Sequence, residues 1–116
     1  MNLKENQEIK RIIEGLEEGM IDYISEDTSY TKKDVAKCMQ ILNQYLESIA
    51  VTKTKDEGMA VVEKTVLELN ELNEACEHEL IETGQREDIC EIIIIAGNLL
   101  GYNDMDDDIT EEWREW

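Results

Sequence analysis

Three aspartates alternate at Asp104, Asp106 and Asp108, and Glu112 and Glu115 follow them, so five carboxylates fall at positions 1, 3, 5, 9 and 12 of an EF-hand calcium loop. That spacing would wrap oxygen ligands round a hard cation, the last glutamate binding through both oxygens. Position 6, where the sharp turn requires glycine, is Ile109, and position 8, which should be apolar, is Glu111. The pattern breaks where the backbone geometry is set. A solvated acidic connection is expected, and no metal ligand is assigned.

Other constellations fail in similar ways. His78 is the only histidine, and Ala75 stands three residues before it, where a helical di-metal site carries glutamate. A Mg²⁺-dependent helical nucleotide pyrophosphohydrolase would place acidic clusters on facing helices, and Glu14, Glu17, Glu18 and Asp22 with Glu68, Glu71 and Glu74 offer that alternative. With 29 acidic residues among 116, such spacings arise by chance, and no basic cluster awaits the phosphates. There is no GxSxG, HExxH, glycine-rich phosphate loop or Cys/His pair, so no catalytic residue and no cofactor is assigned. Cys38, Cys76 and Cys90 form no CxxC motif and suit reduced core thiols in the cytoplasm.

Charge is the extreme feature. Eleven lysines and arginines against 29 acids leave a net of −18, and the 52 residues after Lys64 carry −14 of it, with only Arg86 and Arg114 as bases. Nucleic acid and anionic membrane are excluded as partners because both would be repelled, and a basic protein is favoured. The only tryptophans, Trp113 and Trp116, stand at the end of this acidic pole. Large aromatics there serve either as a lid on the helices or as anchors for a partner. Asp104, Asp106, Asp107, Asp108, Glu112, Trp113 and Trp116 are therefore the candidate partner-binding residues.

The elements that must position these groups are helical. The chain has no proline and only six glycines, and helix formers dominate it. Ile9, Ile12, Ile13, Leu16, Met20 and Ile24 make one apolar stripe from Glu5 to Ser25. Gly15 and Gly19 within it suggest close packing against a neighbouring helix. Thr31 with Asp34 opens a second helix, stapled by Tyr30 on Val35, that runs through Leu42 and Leu46 to Ala50 or Val51. Thr54 with Glu57 opens a third, through Val62 and Leu69, whose end falls anywhere from Asn73 to Gly84. A fourth runs from about Gln85 to Leu100, with Thr83 as its cap and Gly101 as its stop, and contains the run Ile92 to Ile95. So apolar a helix belongs in the centre of the fold, or at a homodimer interface. A short helix over Ile109 to Trp116 completes an all-α single domain of residues 1–116, a compact bundle of four main helices plus a short carboxy-terminal one. Ile12, Leu16, Leu42, Leu46, Val62, Leu69, Ile93 and Leu100 are its expected core.

The segment Glu79 to Cys90 and the ending Asp108 to Trp116 resemble stretches in small uncharacterised bacterial proteins. In size, acidity and helix content the chain is also similar to helical immunity proteins that neutralise nuclease toxins. That resemblance implies a non-enzymatic inhibitor with a basic protein, such as a toxin, as its partner.

Overall fold

A computed structural model describes residues 2–116. Apart from an amino-terminal 3-10 turn, Leu3–Glu5, the regular elements are α1 (Gln7–Asp22), α2 (Lys32–Ala50), α3 (Lys55–Ala75) and α4 (Thr83–Leu99).

Local chemistry sets most of the boundaries. Asn6 caps α1 by accepting from the backbone N–H of Glu8 and of Ile9, both at 3.0 Å, so the helix starts later than its apolar stripe suggests. Thr31 accepts from Lys33 N–H, and the Asp34 carboxylate accepts in turn from Thr31 N–H at 2.9 Å. The same reciprocal pairing joins Thr54 and Glu57 at the start of α3. Tyr30 and Val35 are both buried, as a hydrophobic staple requires.

The start of α4 differs from expectation. Its N-cap is Glu82, whose N–H donates to Gln85 Oε1, and Thr83 is already in the first turn. The end of α3 needs no glycine. Glu77 (φ 55°) and His78 (φ 62°) both adopt the left-handed conformation, and His78 N–H reaches back to the Asn73 carbonyl at 2.7 Å. Gly101 (φ 80°) closes α4 with the same motif, Tyr102 N–H donating to the Gly97 carbonyl.

The helices pack as two pairs. α2 lies along α3 and α1 along α4, while α1 also touches α2. Lys37 and Ala75 share one end of the groove between α2 and α3, and Ser48 and Val61 share the other, so these helices run antiparallel. α3 and α4 scarcely touch one another.

The core contains Leu16, Leu42, Leu46, Val62, Leu69 and Ile93, as the stripes require, whereas Ile12 and Leu100 are only half-buried at its margin. Ile92, Ile93 and Ile95 are buried within the chain, leaving Ile94 alone of that run partly exposed. Tyr45, fully enclosed, donates its hydroxyl to the Ile93 carbonyl at 2.8 Å and so ties α2 to α4. Gly15 and Gly19 make no close approach, since a Cβ on either would meet open space. The close approaches fall at Gly58, against the Tyr102 ring, and at Gly97, against the Asn103 side chain.

Two stability predictions follow from this packing. Leu46→Ala should cost about 2 to 5 kcal/mol in chemical denaturation, and a variant that unfolds like the parent would put the buried face of α2 elsewhere. Gly15→Ala should stabilise the fold by up to about 1 kcal/mol through helix propensity. Gly58→Ala and Gly97→Ala should instead destabilise it by about 1 to 3 kcal/mol through steric conflict. One sign for all three would contradict the close approaches.

Candidate functional site

The expected carboxy-terminal helix does not form. Residues 101–116 are an irregular strap that fills the space between α3 and α4. A single turn survives, in which the Thr110 carbonyl accepts from both Trp113 and Arg114 N–H. It cannot propagate, because the next backbone groups are claimed by α3. Asn70 Nδ2 donates to the Trp113 carbonyl at 2.8 Å, and Glu115 N–H donates to Asn70 Oδ1 at 3.0 Å. One buried side chain thus pairs with the strap much as a neighbouring strand would.

The remaining anchors are spaced along the strap. Tyr102 meets the Thr52 hydroxyl at 2.8 Å, and Asn103, buried, donates to the Ile94 carbonyl while its own carbonyl accepts from Asn98. Thr110 is fully buried beside Cys90, with 3.4 Å between hydroxyl and thiol. Asp108 Oδ1 accepts from both the N–H and the hydroxyl of Thr110, and its Oδ2 takes a 3.0 Å ion pair from Arg114. The Arg114 guanidinium lies 5.5 Å from the centre of the Trp116 ring.

The candidate partner residues therefore separate into two sets. Trp113 and Trp116 are half-buried and pack against the core, holding the strap in place. Asp108 is engaged internally. Asp104, Asp106, Asp107 and Glu112 face solvent together with Glu111, and Met105 is 50% exposed among them. The strap carries seven acids against Arg114, a net of −6 and a third of the protein's excess.

No protein family, curated protein or solved structure matches the chain.

The geometry separates the metal-binding alternatives. Within the calcium-like spacing, Asp108 is spent on Thr110 and Arg114, and Glu115 is drawn to Asn70. The acids of α1 and α3 stand on helices that are not neighbours, so they cannot face each other across a shared metal. His78 is exposed beyond the end of α3. Among the described residues, no three imidazole, thiol or carboxylate groups converge on a point that could hold a metal ion.

The thiols are held protonated. Burial pushes Cys38 up to about 12, and burial with the nearby Asp34 carboxylate pushes Cys76 up to about 11. Cys90 is also raised by burial, the Thr110 contact offsetting part of the effect. None is a ready nucleophile near neutral pH. Among the described residues, no helix is long and apolar enough to cross a membrane.

Asn70, Asn103 and Thr110 were invisible as site residues in the sequence. The available signal was Asn70 beside Leu69 on the buried side of α3, an amide where an apolar residue would otherwise pack. A buried amide needs partners, and an irregular segment has both N–H and C=O groups to spare.

Asn70→Ala should cost about 1 to 3 kcal/mol by stranding strap backbone groups, and should red-shift tryptophan emission as the strap loosens. An unshifted spectrum with unchanged stability would show that the amide does not hold it. Acid should do the same by another route. Burial alone would raise the Asp108 carboxyl, but the Thr110 and Arg114 contacts outweigh it and hold it below its ordinary value. A depressed carboxyl contributes stability above its unfolded pKa of about 4, and loses it as pH falls through the folded value. Tryptophan emission should therefore shift in acid below about pH 4, and Asp108→Asn should flatten that step.

Proposed function

We propose that this chain is a non-enzymatic protein-binding domain that meets a basic protein with the outer surface of its strap, in the manner of an immunity or inhibitor protein. The observation that carries this reading is that exposed carboxylates, Asp104, Asp106, Asp107, Glu111 and Glu112, stand on a backbone already anchored to two helices. An anchored acidic surface loses little conformational entropy on binding, and its field steers a basic partner into encounter. Met105 offers an apolar contact within the acidic rim, and Trp113 and Trp116, half-buried, keep part of each ring open to solvent. The alternative of a Mg²⁺-dependent pyrophosphohydrolase is less favoured, because the acid-bearing α1 and α3 do not face one another.

The test begins with capture of a basic protein on the immobilised chain, followed by binding kinetics. Replacing Asp104, Asp106 and Asp107 with asparagine should slow association by about tenfold and flatten its salt dependence, leaving dissociation nearly unchanged. Met105→Ala, which leaves the strap's anchors in place, should act on dissociation. Binding indifferent to salt and to both changes would leave the acidity as a solubility feature.

A further inference from the structure

We propose that the cavity where the α1–α2 and α3–α4 connections meet binds an organic cation, a guanidinium or ammonium group on an apolar stem. The cavity measures about 450 Å³, the size of a small-molecule site, and no residue of the strap borders it. Its walls are Tyr23 at the end of α1, Tyr30 from the first connection, Glu79, Leu80 and Glu82 from the second, and Gly84 in the first turn of α4. The two connections are fastened to each other and to the helices without any ligand. Ser29 donates its N–H to Glu79 at 2.7 Å and its hydroxyl to Glu77 at 2.9 Å, Ile81 N–H donates to Asn73 Oδ1, and the Tyr30 hydroxyl donates to the Met20 carbonyl. Folding does not call for two of the residue types on these walls. Tyr23 is a large aromatic left 71% exposed. Gly84 has no positive φ, and a Cβ there would meet nothing within 4 Å, so neither backbone conformation nor packing requires glycine where alanine would favour the helix. Its bare backbone keeps the mouth of the cavity clear.

Charge and lining select the occupant. Among the described residues, the ion pairs are Lys4 with Glu47 and Arg114 with Asp108, so Glu79 and Glu82 have none, and no lysine or arginine borders the cavity. Hydrogen bonds from Ser29 hold the Glu79 carboxyl below its ordinary value, and it is ionised near neutral pH. Burial raises the Tyr30 hydroxyl above its ordinary value and the Glu79 and Glu82 charges raise it further, which places that wall in the field of both carboxylates. The start of α4 contributes about half a positive charge, too little to offset two full negative ones. An anion is therefore repelled. A bare metal ion is poorly served too, because no three metal-binding groups converge there and much of the wall is Tyr23, Tyr30 and Leu80. Those side chains suit a cation that brings its own apolar stem and can lie against aromatic carbon. Such a group arrives either as a free amine or as the arginine or lysine side chain of a protein.

The test is an NMR titration of the whole chain with butylguanidinium in about 150 mM salt, which suppresses diffuse attraction to so acidic a protein. The amides of Tyr23 and of residues 79–85 should shift together and saturate with a Kd of about 1 mM. Butylurea, of the same shape without the charge, should bind at least about tenfold more weakly. Gly84→Leu, which fills the mouth, and Tyr23→Ala, which removes a wall, should each weaken butylguanidinium at least about fivefold, and both positions are open enough to keep the fold. Glu82→Gln should act in the same direction by removing one of the two charges. A blocked Gly-Arg-Gly peptide separates the sources: binding as tight as butylguanidinium assigns the cavity to a protein side chain, and binding at least about tenfold weaker assigns it to a free amine. Shifts scattered over the acidic surface that do not saturate by about 20 mM would overturn the proposal. So would butylurea binding equally well, or Gly84→Leu and Tyr23→Ala binding like the parent. None of these results bears on the strap reading, which is tested on a different surface.

Discussion

The structure turns on the hydrogen bonding of an irregular backbone between two helices. α3 and α4 do not pack on each other, and the space between them is filled by a chain that is neither helix nor strand. Such a segment brings buried N–H and C=O groups that must be satisfied. Asn70, Asn98, Asn103 and Asp108 meet that demand from side chains, and the small residues Gly58 and Gly97 give Tyr102 and Asn103 the room to approach. Without those contacts the bundle would have an open flank, and the acids of the strap would sit on a tail with no fixed geometry.

How far the sequence discloses this depends on the range of the interactions. Thr31 with Asp34 and Thr54 with Glu57 are readable because a capping box is complete within four residues. The α2 stripe through Leu42 and Leu46 is readable because burial of one helical face repeats every turn. The strap is not readable in that way. Ile109 to Trp116 has helix formers and a plausible start, yet its backbone is captured by Asn70, 43 residues away from Trp113. A local pattern cannot register a competitor that arrives from another helix. Composition and position therefore mark out the strap, but not the division between acids that face out and tryptophans that pack against the core. The end of α3 was hidden for a related reason: Glu77 and His78 take a conformation that the sequence signal assigns to glycine or asparagine.

Electrostatics gives the molecule two sides. α2 has three lysines against Asp34 and Glu47 and is the one helix that is not negative, whereas the strap concentrates carboxylates opposite a single arginine. In a protein of net −18 this asymmetry makes the surface selective by exclusion: anionic molecules are turned away over most of it, and least along α2.

Order of assembly is set by the same strap. The antiparallel pair of α2 and α3 is joined by a short turn and brings together residues close in sequence, so it closes with little loss of chain entropy. The strap's partners are distant, Tyr102 from Thr52 by 50 residues and Trp113 from Asn70 by 43, and both α3 and α4 must already be in place to receive it. Among the described residues, the buried side-chain polar atoms without a protein partner, Asn103 Oδ1, Arg114 Nε and the Trp116 indole nitrogen, all lie in it. A segment held mainly by such distant contacts opens at lower free energy than the helices that receive it. Hydrogen exchange in the strap should therefore follow a low-energy opening of its own, while the amides of α2 wait for the whole bundle to come apart.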